Sequence, residues 1–177
     1  AFVMDKQQLN DLDPKVTLDV KGGVYFPDDA FFSPKIFLEK LKLELTAVGV
    51  KMVSQVEDLK FVVHHDLKSI DTNKGMFSAD QFVISAGVWS EKLAQLLGLN
   101  ILMQPGKGYS FTMKHPVEMP SICSILTEAK VAVTPMSEGL RFAGTMEIGA
   151  LNFDINQRRV QGIKKSIATY FPSFKFA

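Results

Sequence analysis

Phe82-Val83-Ile84-Ser85-Ala86-Gly87-Val88-Trp89-Ser90 is the stretch on which the fold turns. Phe82 to Ser85 is apolar on consecutive positions, the pattern of a strand buried on both faces. Gly87 then supplies a turn, and Trp89 to Leu97 reads as a helix stopped by Gly98. Strand, glycine turn and helix in that order form an α/β signature. At the carboxyl end of such a strand, Ser85-Ala86-Gly87 lets a ligand come close to the backbone and to the amides of the next helix. A pyrophosphate or ribose fits that description, and so does a tight turn that needs glycine only for its geometry.

Toward the N-terminus, Asp5 to Leu12 reads as a helix ended at Pro14, followed by a turn at Gly22-Gly23 and a short β-rich run, Val24-Tyr25-Phe26. Ser33-Pro34 is an N-cap with proline at the first helical position, and the apolar residues from Ile36 to Val48 run to Gly49 as a stop. Val50–Val56, Leu59–His64 and Leu67–Ile70 are rich in β-branched residues and lead to a turn cluster, Asp71 to Gly75. They predict a small antiparallel meander.

After Leu99 the pattern changes to strands at Ile101–Met103, Lys107–Met113, Ser121–Leu126, Lys130–Thr134 and Leu140–Thr145. Asn156 to Tyr170 closes the chain as a helix, capped by Asn156, with Val160, Ile163, Ile167 and Tyr170 on the stripe that packs on that sheet.

The chain has 177 residues, 46% hydrophobic and 22% charged, the balance of a folded globular protein. With 20 basic and 19 acidic residues no basic stripe forms, which argues against nucleic-acid binding. A lone Cys123 excludes an internal disulfide, and no signal peptide or membrane-spanning run stands out, so the expectation is a cytoplasmic protein without a transmembrane segment. His64-His65 is a poor metal site, because neighbours on a strand point to opposite faces. Lys107 between two glycines lacks the ending of a phosphate loop; a surface lysine and a half-buried strand tyrosine at Tyr109 are the plain reading. Arg141, alternating with Leu140 and Phe142, belongs on a solvated face.

Three segments in this order and spacing carry a resemblance: Phe82–Ser90, Gln104-Pro105-Gly106-Lys107-Gly108-Tyr109-Ser110, and Thr134-Pro135 through Gly144-Thr145-Met146-Glu147. Together they resemble the middle of an FAD-dependent amine oxidoreductase of the D-amino acid oxidase superfamily, near the D-amino acid dehydrogenases and glycine oxidases. The resemblance runs from about Asp5 to Pro172. No Gly-x-Gly-x-x-Gly loop precedes these segments, and both ends look cut, so the expectation is an interior piece of a flavoenzyme.

The implied fold is α+β, a mostly antiparallel substrate-domain sheet with packed helices plus an incomplete piece of an α/β FAD-binding domain. Residues 1–22 would enter the substrate domain, 23–100 would belong to the FAD-binding domain and 101–177 to the substrate domain. An excised piece would expose apolar surface.

By the resemblance, Val56 (through its main chain), Ala86, Gly87, Trp89, Gly144 and Thr145 contact FAD, and Tyr109, Lys130 and Ala132 lie near the substrate. Lys130 and Ala132 stand where glycine-oxidase-like relatives present a His and a Tyr, which leaves the substrate open and admits a larger side chain. The arginine that clamps the substrate carboxylate would lie beyond Ala177, and the piece alone would be inactive. The implied function is oxidative deamination of D-amino acids, with a quinone or oxygen as electron acceptor and peripheral attachment to the inner membrane as an option. Glycine, sarcosine or hydroxyproline oxidation is the alternative within the class, and a non-catalytic binding domain the alternative outside it.

Overall fold

Asp5 starts the first helix by a reciprocal cap: its carboxylate accepts from the Gln8 N–H, and the Gln8 side chain accepts from the Asp5 N–H. In the computed structural model, which describes residues 1–63, 67–149 and 151–175, this helix is α1 (Lys6–Leu12). It lies between β1 (Phe2–Asp5) and β2 (Gly22–Tyr25), an antiparallel pair with Asp5 opposite Gly22. The turn expected at Gly22-Gly23 is therefore strand, because its partner is a segment about twenty residues earlier that has no strand pattern of its own.

The chain divides into two compact units, residues 1–37 with 106–177, and residues 38–105. The first holds a four-stranded antiparallel sheet of order β6-β9-β8-β7, from β6 (Gly106–Met113), β7 (Ser124–Leu126), β8 (Val131–Met136) and β9 (Gly139–Ile148). Alternation along these strands sends Tyr109, Phe111, Val131, Val133, Leu140 and Phe142 to one face, where α4 (Gln157–Tyr170) covers them. Ile163 and Ile167 are buried and Val160 and Tyr170 pack against the same cluster, as the helical stripe predicts. Phe142 is fully buried and meets Phe171 and Phe174 edge to face, at centroid distances of 6.2 and 6.0 Å.

β7 is shorter than its sequence pattern. The amides of Ser121 and Ile122 are taken by the buried Asp13 carboxylate, at 2.6 and 3.2 Å, so they are not available to a ladder.

α2 (Pro34–Ala47) begins in the first unit and runs into the second. It ends at Gly49, φ +91°, with Gly49 N–H donating to Thr46 O and Val50 N–H to Leu45 O, the paired bonds of a left-handed glycine stop. The meander of the second unit is β3 (Lys60–Val63), β4 (Leu67–Thr72) and β5 (Gly75–Ser78), each antiparallel to the next. Its third strand is Gly75–Ser78, beyond the expected turn, and Val50–Val56 forms no ladder.

The strand expected at Phe82–Ser85 is likewise absent. No strand among the described residues pairs with it, and Val83 is 86% exposed. A parallel-sheet strand takes all its ladder bonds from neighbours, so an apolar run without them has no strand to join. Ile101–Met103 is also unpaired, with Leu102 92% exposed. The glycine turn and helix do follow, as a 3₁₀ turn at Gly87–Trp89 and α3 (Ser90–Gln95). Among the described residues of 38–105 only Ser69 and Ala94 are buried, so this unit exposes most of its apolar side chains. No helix among the described residues is long and apolar enough to cross a membrane.

Candidate functional site

In the second unit the backbone around Val56 is held by one side chain. Asn73, in the hairpin between β4 and β5, accepts from the Glu57 N–H at 2.8 Å and donates to the Gln55 carbonyl at 3.2 Å. Gln55 adopts φ +55° to make this possible. Both neighbours of Val56 are thereby pinned, while among the described residues nothing hydrogen-bonds its own N–H or carbonyl. Val56 itself is 38% exposed.

Gly87 has φ +56°, and no heavy atom lies within 4 Å of where a Cβ would sit. The space before this backbone is open on the side a side chain would fill. Ala86 is half-buried, its N–H held by Ser90 Oγ at 3.1 Å, and Trp89 is 48% exposed. An unengaged peptide at Val56 and an uncovered left-handed glycine at Gly87 suit a dinucleotide cofactor that is gripped by main chain.

In the first unit, β9 carries one extra residue against β6: Gly108 pairs with Met146 and Tyr109 with Gly144, which leaves Thr145 as the bulge, at φ +57°. On its other side Gly144 faces Val131, so closely that a Cβ would lie 2.9 Å from Lys130 O and from Val131 Cγ2. Lys130 is exposed and left-handed, φ +53°, at the start of β8. Ala132 is half-buried on the face away from α4, between Ala143 and Ile125. Tyr109, Lys130, Gly144 and Thr145 are thus brought together at one end of the sheet, and Ala132 lies two residues along.

A polar cluster locks the bulge. Arg159, from the first turns of α4, donates to Thr145 Oγ1 at 2.7 Å and to the Met146 carbonyl at 3.2 Å. Its Nε lies 3.3 Å from Glu147 Oε2, an ion pair outside hydrogen-bond alignment. The Tyr109 hydroxyl donates to Glu147 Oε2 at 2.8 Å, and its ring centroid is 5.6 Å from the Lys107 ammonium and 5.8 Å from the Arg159 guanidinium. Lys107 also donates to Asn152 Oδ1 at 2.5 Å and to the Asp154 carbonyl at 2.9 Å. The Tyr109 hydrogen bond first, then Lys107 and Arg159, hold the Glu147 carboxyl below the usual carboxylate range against the opposing effect of partial desolvation.

Tyr109 is buried rather than half-buried, and Lys107 is pinned rather than a free surface lysine. Glu147, Arg159 and Asn73 carry this geometry and stood outside the candidate set. Glu147 was within the quoted strand, but Arg159 meets it only through the packing of α4 on β9, which no spacing announces. Cys123 is half-buried. His64 and His65 lie outside the described residues, and among those described no three His, Cys, Asp or Glu side chains group as metal ligands.

A family model described as DAO, FAD dependent oxidoreductase, matches residues 1–177. D-amino acid dehydrogenase of Vibrio atlanticus (strain LGP32) is 30% identical over 85% of this chain, and that of Rhodopseudomonas palustris (strain HaA2) is 31% identical over 85%. The matches cover 37% and 36% of those two proteins, so the chain spans little more than a third of their length. Among solved structures, L-proline dehydrogenase from P. horikoshii superposes with a TM-score of 0.81 at 15% identity, over 97% of this chain and 48% of that one. Glycine oxidase from Bacillus cereus ATCC 14579 gives 0.78 at 16% identity, over 97% and 47%. These two likenesses concern the fold. The match along all 177 residues, with the antiparallel sheet and helices in place, makes the chain a member of the DAO family of FAD dependent oxidoreductases.

Proposed function

We propose that this chain is part of an FAD-dependent dehydrogenase that oxidatively deaminates D-amino acids. The observation that carries the reading is its 30% and 31% identity to two D-amino acid dehydrogenases across 85% of its length. Bound FAD supplies the oxidant for the substrate Cα–H. The residues of this chain then hold and enclose. Val56 offers an unengaged peptide N–H and carbonyl to the adenine, and Ala86, Gly87 and Trp89 border the ribose and pyrophosphate where Gly87 has open space. We assign Gly144 and Thr145 to the isoalloxazine side, approached through the backbone, since the Thr145 hydroxyl is already taken by Arg159. Lys130 and Ala132 border the substrate, with Ala132 leaving room for a side chain larger than hydrogen; Tyr109, expected beside them, is buried on the opposite, α4-covered face with its hydroxyl on Glu147 and is left out of the pocket.

In this reading residues 23–100 contribute to the flavin domain, and 1–22 with 101–177 to the substrate domain. The 177 residues alone do not turn over, because no Gly-x-Gly-x-x-Gly loop lies within them. The test is the anaerobic visible spectrum of the full-length gene product, before and after D-amino acids, N-methylglycine and L-proline are added. Bleaching by D-amino acids is expected. Bleaching by N-methylglycine or L-proline alone overturns the substrate class, and no flavin after reconstitution with FAD overturns the oxidoreductase in favour of a non-catalytic binding domain.

A further inference from the structure

The face of the four-stranded sheet turned away from α4 has an unusual makeup. Its cross-strand rows are Ser110, Ala143 and Ala132, then Thr112, Arg141 and Thr134, so small and hydroxyl side chains surround a single charge. Arg141 is half-buried there and donates to Ser110 Oγ at 3.2 Å. Among the described residues no carboxylate pairs with it. A guanidinium carries five N–H donors, and the bond to Ser110 occupies one of them, which leaves others for an anion.

Arg141 opens onto a cleft of about 260 Å³, lined also by Ser33, Pro34, Lys35, Thr112, Met136 and Glu138. The acidic group there is spoken for: Lys35 Nζ donates to Glu138 Oε1 at 2.6 Å, an ion pair that holds the Glu138 carboxyl below its usual range. The two cations and one anion leave the cleft with a net positive charge at Arg141. Beside it stand the Thr112 hydroxyl and the apolar surface of Met136 and Pro34. All these residues belong to one compact unit, 1–37 with 106–177.

We propose that this cleft binds a small monocarboxylate, its carboxylate on the Arg141 guanidinium and Thr112 hydroxyl and its carbon chain against Met136 and Pro34. The guanidinium fork matches two carboxylate oxygens, whereas Lys35 is held by Glu138 and supplies background charge only. This arginine is separate from the one assigned by family resemblance to the substrate carboxylate, and it stands four residues before the Thr145 bulge on β9, roughly 13 Å along a strand. The site does not depend on the flavin reading.

The test is titration of the ¹⁵N-labelled chain with propionate, followed by amide shifts at Thr112, Met136 and Arg141. Propionate is expected to move these resonances saturably, and propionamide to bind at least about tenfold more weakly, since it lacks the charge that strengthens the bond to arginine. Arg141→Gln is expected to weaken propionate by about tenfold or more, with Arg141→Lys between, because it keeps charge but loses the fork. Equal binding of propionate and propionamide by the unaltered protein overturns the proposal, and that comparison needs no variant to fold. Unchanged affinity in Arg141→Gln, or inorganic sulfate binding as tightly as propionate, also overturns it.

Discussion

Gly144 lies between β6 and β8, and on the β8 side its lack of a side chain is a packing requirement. A methyl group there would sit 2.9 Å from the Lys130 carbonyl and from Val131 Cγ2, and the carbonyl cannot withdraw without moving the backbone that leads into β8. Gly144→Ala is expected to cost about 2 kcal/mol, read as a lower urea midpoint at unchanged m-value. Glu147 acts through charge. Its folded pKa lies below that of an unfolded glutamate, about 4.3, so its carboxylate stabilises the native state at neutral pH. That contribution fades as the pH falls from the unfolded value through the folded one. Glu147→Gln keeps an acceptor for Tyr109 but removes the charge, so the Tm difference from the parent should be largest near neutrality and close to nil in acid. A difference that stays constant with pH would refute the charge assignment. The glycines and Glu147 could be quoted from the sequence, but their roles depend on neighbours 13 to 38 residues away, such as Val131 and Tyr109.

At the scale of elements, helix ends were legible and strand partners were not. Gly49 marks the end of α2 because its φ of +91° is open to glycine and strained for other residues. Gly49→Ala should cost about 1 kcal/mol and fray the last turn, seen as lost amide protection at Val50. The cap of α4 follows the same local logic, Asn156 Oδ1 accepting from the Arg158 N–H at 3.1 Å. Strands at Phe82–Ser85 and Ile101–Met103 were expected from apolar runs alone, yet a run becomes a strand only beside a partner. The shortened β7 shows the converse. A side chain from far away in sequence, Asp13, satisfies the amides that a strand would otherwise use. Asp13→Ala should leave both amides unpaired at a cost of about 2–3 kcal/mol, with faster hydrogen exchange at Ser121 and Ile122 as the specific readout.

For the whole molecule, stability is concentrated in the unit that holds the four-stranded sheet. Phe142 is fully buried among Phe111, Phe171 and Phe174, and Phe142→Ala should cost about 4 kcal/mol. Hydrogen exchange should show that loss first in β8 and β9. The second unit buries little, which is why apolar content alone was a poor guide to its strands. The sequence by itself determined the helices, the Asn156 cap and the Gly49 stop, the α+β class and the family, because periodicity, capping residues and motif order are properties of near neighbours in the chain. The bulge at Thr145, its lock by Arg159 and Glu147, the open peptide of Val56 and the cleft at Arg141 were decided only by the tertiary structure. Each is made by side chains or strands that meet across long stretches of chain, and such meetings are fixed by which faces are buried together.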